Sequence, residues 1–173
     1  MEHLKAKIRQ VPDFPKPGIL YYDITTLLRD PIGLKEAISG LTETFRNQQI
    51  DLVVGIESRG FILGAPVADR LRAGFVPARK PGKLPAGTIQ QSYDLEYGSD
   101  ALEIHQDAIE QGQRVLIVDA LLATGGTARA ALDLVRKTGG EIAGMAFLVE
   151  LQFLGGRARL GDVPLFVALR YTS

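Results

Sequence analysis

The chain is 173 residues long and 46% hydrophobic, enough for one well-buried core and short for two domains; Lys plus Arg and Asp plus Glu both total 20, so no overall field favours nucleic acid or a membrane surface. Cysteine is absent, which excludes a disulfide framework, thiolate catalysis and Cys-ligated metal together. No apolar run approaches the ~20 residues of a membrane span, and Met1-Glu-His-Leu-Lys lacks the apolar stretch of a signal peptide, so a cytoplasmic protein is expected.

Leu4 and Ile8 stand one helical turn apart and predict a short helix over residues 2–10. Three prolines and Gly18 then make Val11 to Gly18 an extended, turn-rich cover, because each Pro fixes its own φ and biases its predecessor away from helix. Ile19 to Tyr22 reads as a short edge strand carrying two aromatics, Tyr21 and Tyr22, whose rings on the residues alone are more often core packing than a surface for a flat ligand. Asp30-Pro31 is a helix start, an N-cap followed by Pro at the first helical position, and Leu34, Ile38, Leu41 and Phe45 continue one apolar stripe.

That helix leads into Leu52-Val-Val-Gly-Ile56, an apolar run expected to be a strand buried on both faces. A helix over about 60–73 and a strand from Phe75 to Ala78 follow, so strand, helix and strand imply a parallel crossover. Arg79, Lys80 and Lys83 cluster directly after that strand; on the residues alone they are either a solvated surface or an anion site. From Pro81 to Asp100 no periodicity is sustained, and a long irregular loop of this kind inside a compact domain is commonly a lid. It carries Tyr93, Glu96 and Tyr97.

Val115-Leu-Ile-Val-Asp119 is a third buried strand, ended by an acid and followed by Ala123-Thr-Gly-Gly-Thr127, after which Ala131, Leu134 and Val135 mark a helix stopped at Gly139-Gly140. Glycines between a strand and a helix let backbone N–H groups approach an anion at the positive end of the helix dipole. Thr124 and Thr127 add hydroxyl donors, and Asp119 is an acceptor for neighbouring hydroxyls, a pairing suited to a sugar phosphate. An ordinary strand-to-helix turn uses the same residue types. Further strands near 142–149 and 165–169 complete an alternating α/β pattern with a central, mainly parallel sheet flanked by helices. His3 and His105 have no ligand-like partners, so no protein metal site is expected.

The run Val115-Leu-Ile-Val-Asp-Ala-Leu-Leu-Ala-Thr-Gly-Gly-Thr127 resembles the phosphoribosyl pyrophosphate (PRPP) motif of the type I phosphoribosyltransferases. The likeness extends, in the family's order, through Val11-Pro-Asp-Phe-Pro-Lys-Pro-Gly18, Gly55-Ile-Glu-Ser-Arg-Gly-Phe61, Arg79-Lys-Pro-Gly-Lys-Leu-Pro85, Ser92-Tyr-Asp-Leu-Glu-Tyr-Gly98 and Leu148-Val-Glu-Leu151. It is strongest with the members that use adenine. The resemblance implies the type I fold, in one domain over 1–173 with a small N-terminal hood (about 1–30) and a flexible lid (about 81–100). It implies purine salvage, in which adenine and PRPP give AMP and pyrophosphate, with Mg2+ carried by PRPP rather than by a protein cage, in a homodimer whose partner helps complete the basic loop.

By the same resemblance, Ala123, Thr124, Gly125, Gly126 and Thr127 hold the 5′-phosphate, and Ser58, Arg59, Arg79, Lys80 and Lys83 meet the pyrophosphate. The Glu57–Ser58 bond is the place of a non-proline cis peptide. Glu96 handles the proton of the base; without the resemblance a loop Glu is more often an exposed charge than a catalyst. Tyr93 and Tyr97 belong to the lid, and Tyr21 or Tyr22 touches the nucleobase. Two positions depart from the family. Ala120 stands where it carries a second ribose-binding acid beside Asp119, and Tyr22 stands where it usually has Arg. The first implies weaker PRPP binding and reduced activity, with a PRPP-binding regulatory protein as an alternative; the second leaves open a phosphoribosyltransferase for another purine base.

Overall fold

The computed structural model describes residues 1–95 and 97–173. A 3-10 turn over Glu2–Lys7 precedes a hairpin of β1 (Arg9–Pro12) and β2 (Leu20–Asp23), then come the short α1 (Thr25–Arg29) and α2 (Pro31–Glu43). The expected helix over 2–10 therefore stops early. Arg9 and Gln10 pair antiparallel with Asp23 and Tyr22, and Pro12 two residues on has no N–H with which to continue a helix. Asp30 caps α2 as expected, its side chain accepting from the Gly33 N–H at 3.0 Å, with Pro31 in the first turn.

β3 (Leu52–Ile56), α3 (Arg59–Leu71) and β4 (Gly74–Ala78) form the first crossover. The second half of the stretch expected to be an irregular lid, about 81–100, belongs to a two-stranded antiparallel ribbon, β5 (Thr88–Asp94) and β6 (Ser99–His105), paired from Thr88↔His105 to Asp94↔Ser99. β6 supplies the apolar anchor with Leu102 and Ile104 fully buried, whereas β5 is polar and partly exposed, which hides its strand character in sequence. β7 (Arg114–Leu122), α4 (Gly126–Lys137), β8 (Glu141–Leu151) and β9 (Leu165–Tyr171) complete the chain. β7 outruns its predicted end at Asp119 because Leu121 and Leu122 still pair with Val149 and Glu150 of β8.

The central sheet has the order β4-β3-β7-β8-β9 and is parallel throughout. Both of its faces are buried, and the alternation of strand side chains sorts them into two cores. Val53, Leu116, Val118, Ala146 and Leu148 meet Leu41 of α2 and Leu63 and Val67 of α3 on one face. Val54, Ile117, Met145 and Phe147 meet Ala131, Leu134 and Val135 of α4 on the other, with Leu102 and Ile104 of β6. Helices following β3 and β7 thus cover opposite faces, and the winding direction switches between these two adjacent strands. A crevice opens at their carboxyl ends.

Leu134→Ala removes a fully buried side chain from α4. It is expected to lower unfolding free energy by about 2–5 kcal/mol, read from the urea midpoint at unchanged slope.

Candidate active site

The loops after β3 and β7 enclose a cavity of ≈ 410 Å³ lined by Ile56 to Arg59, Lys80, Asp119 and Leu121 to Ala128. On the β7 side, Gly125 begins α4 at φ 86°, a left-handed conformation suited to glycine, and its carbonyl accepts from the Arg129 N–H at 2.9 Å. The first amides of a helix have no partners within it, so those of the Gly125–Thr127 turn are directed at the cavity as anion donors. Thr124 is exposed and Thr127 half-buried beside them.

Asp119 lies at the cavity floor, its Oδ1 accepting from the Ala120 N–H at 2.7 Å. Burial pushes its carboxyl up to about 7, against the opposing pull of that N–H and of the positive Arg59. Gly60 is what lets the two loops close on each other, since a Cβ there would stand 3.0 Å from Asp119 Oδ1 and from the Val118 carbonyl. Ala120 is 2% exposed and belongs to the core with Val118 and Leu148. Of the two positions expected at the ribose, Asp119 lines the cavity and Ala120, which lacks the family's acid, turns its side chain into the core, as strand alternation requires of Asp119's neighbour.

On the β3 side the Glu57–Ser58 peptide is cis, and Ser58 and Arg59 line the cavity. Arg59 donates to the Tyr21 hydroxyl, and the Tyr21 ring stands edge-on to Phe14 with centroids 5.1 Å apart. Tyr21 is thereby brought to the rim. Tyr22 is not: it is 7% exposed, stacked on Tyr171 at 3.9 Å, with its hydroxyl donating to the Ser173 carbonyl at 2.7 Å. The nucleobase contact expected of Tyr22 is corrected to core packing, because consecutive residues of β2 face opposite ways.

The basic loop is organised by two carboxylates, Glu57 and Glu103, to which the sequence alone assigns no ligand role. Glu57 accepts from the Lys80 N–H at 2.8 Å, from Lys83 Nζ at 2.6 Å and from Arg79 Nε at 3.3 Å. Burial alone would raise its carboxyl, but those three donors together hold it below the usual carboxylate range. Glu103 fastens the other side, accepting from the Gly82 N–H and the Thr88 hydroxyl, each at 2.8 Å. Lys80, the member of the cluster that lines the cavity, donates to Tyr93 Oη at 2.7 Å and pairs with Asp100. Burial opposes its charge, and Asp100 and Tyr93 outweigh that opposition. Arg79 and Lys83 are tied to the cleft wall by their ion pairs with Glu57. Tyr93 also lies over the anion loop, its ring 3.3 Å from where a Gly126 Cβ would be, whereas Tyr97 is 82% exposed. Glu96, the expected proton-handling residue, lies outside the described residues.

Residues 23–162 match the phosphoribosyl transferase domain family. A protein of Koribacter versatilis named adenine phosphoribosyltransferase is 61% identical over 170 residues, 98% of this chain and 93% of that one. The chain belongs to the phosphoribosyltransferase family. Solved adenine phosphoribosyltransferases match it as well. The adenine phosphoribosyltransferase of Thermoanaerobacter pseudethanolicus superposes with a TM-score of 0.95 at 49% identity, covering 98% of this chain and 99% of that one. The Saccharomyces cerevisiae adenine phosphoribosyltransferase, solved with an imino-altritol bisphosphate and adenine, gives 0.91 at 43% identity, covering 96% and 97%. As in the type I phosphoribosyltransferases, a central parallel sheet is flanked by helices.

The raised Asp119 carboxyl has a signed consequence. Its folded value of about 7 exceeds the ordinary 3.8, so the folded protein keeps a proton that the unfolded chain releases, and stability falls as pH rises through that interval. Asp119→Asn removes this fall. The variant's melting temperature is expected to gain on the parent's as pH goes from about 4 to about 8, measured by thermal unfolding in matched buffers, while activity drops.

Proposed function

We propose that the protein forms AMP and pyrophosphate from adenine and PRPP, with the cavity at the β3–β7 switch as its active site. The observation that carries this reading is the convergence there of a helix-terminal amide loop, the Asp119 carboxylate and a cationic loop gathered by Glu57, in the order phosphate, ribose and pyrophosphate require. Gly125 to Thr127 take the 5′-phosphate, with Thr124 and Ala123 beside them. Asp119 accepts from the ribose hydroxyls, whose donation favours its ionised form over the proton it otherwise keeps near neutral pH. Ser58, Arg59 and Lys80 receive the pyrophosphate, with Arg79 and Lys83 available from Glu57.

In the reaction the bond from C1 of the ribose to the pyrophosphate oxygen breaks as a purine ring nitrogen bonds to C1, and the proton on that nitrogen leaves. Charge builds up on the departing pyrophosphate and a cationic character on the sugar, so fixed cations on one side and a carboxylate on the other both act where the transition state needs them. Positioning of the sugar between two loops of one rigid sheet supplies the orientation. Glu96 takes the proton of the base, a role supported by the likeness of Leu95-Glu-Tyr-Gly98 to the family motif. Tyr21, held by Arg59 at the rim, packs against the base, and Tyr93 closes over the anion loop with Tyr97 at the ribbon's outer end.

Magnesium enters with PRPP and screens its pyrophosphate. The donors facing the cleft, Asp119, Ser58, Thr124 and the Glu57 carboxylate, are all oxygens, as a hard cation prefers. A homodimer is part of the proposal, supported by the family likeness of the basic loop and by the exposure of Lys83 at the cleft edge. Among the described residues no helix is long and apolar enough to cross a membrane, and the proposed location is the cytoplasm. The alternatives of another purine base and of a regulatory protein drew on Tyr22 and Ala120, and both side chains lie in the core.

The test offers PRPP and Mg2+ with adenine, hypoxanthine, guanine and xanthine separately and measures the nucleotide formed; AMP alone is expected, and any other product sinks the assignment. Thr127→Ala is expected to raise the PRPP KM about tenfold or more, the weight of a hydrogen bond to a charged group.

A further inference from the structure

The anion loop is not self-supporting. Its back is a second turn, the 3-10 segment Gly156–Leu160, which follows β8 and the shorter 3-10 turn Gln152–Leu154. The two backbones touch: a Cβ on Gly156 would stand 2.3 Å from the Ala123 carbonyl oxygen and 2.9 Å from the Gly125 nitrogen, and a Cβ on Gly125 would stand 2.5 Å from the Gly156 carbonyl oxygen. Real side chains do not make such contacts, so one position or the other must yield if either residue gains an atom. Gly156 is buried and does not adopt positive φ, so the obstacle to a side chain there is the loop itself and not the local backbone. Its neighbour Gly155 is the converse, at φ 68° with nothing within 4 Å of its Cβ position.

The turn is fastened from beneath. Arg157 donates from Nε to Glu150 Oε1 at 3.1 Å and from Nη2 to Oε2 at 2.7 Å, a two-point pair on a carboxylate that is 3% exposed. Arg170 of β9 adds a third cationic nitrogen at 3.5 Å. Glu150 is the β8 residue in register with Leu122 at the end of β7. The turn's anchor and the loop's root are therefore neighbouring rungs of one sheet. On the far side the Arg159 carbonyl accepts from Arg129 Nη1 of α4 at 3.1 Å.

We propose that Gly156, fixed by the Glu150–Arg157 pair, is a positioning residue for the phosphate site: it sets where Ala123 to Gly125 lie and so tunes affinity for the phosphoribosyl end of PRPP. The inference rests on the reading of that loop as the 5′-phosphate site. Neither Gly156 nor Glu150 touches the cavity, so their effect passes entirely through the loop's backbone.

The experiment measures PRPP dissociation constants by titration, KM for PRPP and for adenine separately, and melting temperatures, for Gly156→Ala, Gly155→Ala, Glu150→Gln and Thr127→Ala. Gly156→Ala is expected to weaken PRPP binding roughly ten- to a hundredfold, the scale of an ångström's misplacement, with the adenine KM within about threefold of the parent. Gly155→Ala strains its own turn without meeting the loop, so it lowers the melting temperature and leaves PRPP binding unchanged. Glu150→Gln keeps the shape of the anchor, loses its charge, and weakens PRPP binding in the same sense by a smaller factor; it carries the test if Gly156→Ala does not fold. Unchanged PRPP binding in Gly156→Ala, or in Glu150→Gln where that variant stands in for it, overturns the proposal. So does equal weakening in Gly155→Ala, which would make the effect one of general stability. Unchanged binding in Thr127→Ala fails the reading of the loop itself, whereas an effect there without one at Gly156 fails only the seat.

Discussion

Everything that acts chemically in this protein hangs on the change of winding direction between β3 and β7. Because α3 returns over one face of the sheet and α4 over the other, the loops leaving these two neighbouring strands are drawn apart, and a crevice is left that neither helix fills. Its walls inherit the rigidity of strands buried on both faces. Gly60 allows the walls to approach closely enough for Asp119 to sit between them, with a carboxyl whose protonation is poised near neutrality by the burial that the same closeness brings.

The cations around the crevice are held in readiness. Glu57 gathers Arg79, Lys83 and the Lys80 amide, and Asp100 with Tyr93 gathers the Lys80 ammonium. Long basic side chains on an exposed loop would otherwise lose considerable rotamer freedom on meeting a ligand. Here part of that ordering is met by folding, and a pyrophosphate carrying several charges competes with single carboxylates for donors already close to hand. The same arrangement couples the β5–β6 ribbon to the site, since Tyr93 and Asp100 are opposite each other across that ribbon.

The parts legible in the sequence are those governed by local pattern. β3, β7 and β8 announce themselves as apolar runs because both faces are buried, and the Asp30-Pro31 start of α2 and the Gly125-Gly126 turn rest on residues whose backbone chemistry is nearly self-contained. What escaped depends on partners distant in sequence. β5 is a strand because β6 pairs with it, not because its own residues alternate between oil and water. Glu57 and Glu103 look like ordinary surface acids until the fold carries the basic loop to them. Ala120 and Tyr22 show the remaining limit: alternation says that adjacent strand residues part company, but only the packing decides which of them turns inward.

That last point bears on the hood. β2 holds Tyr22 in the core against Tyr171 and Ser173 while presenting Tyr21 toward Arg59. Because strand side chains alternate with a period of two, sliding β2 by a single residue against β1 would exchange the two tyrosines and empty the rim of its aromatic ring. The grip of the last strand on Tyr22 is therefore a register lock, and the fidelity with which the hood offers a flat face to a base is maintained from the opposite end of the chain.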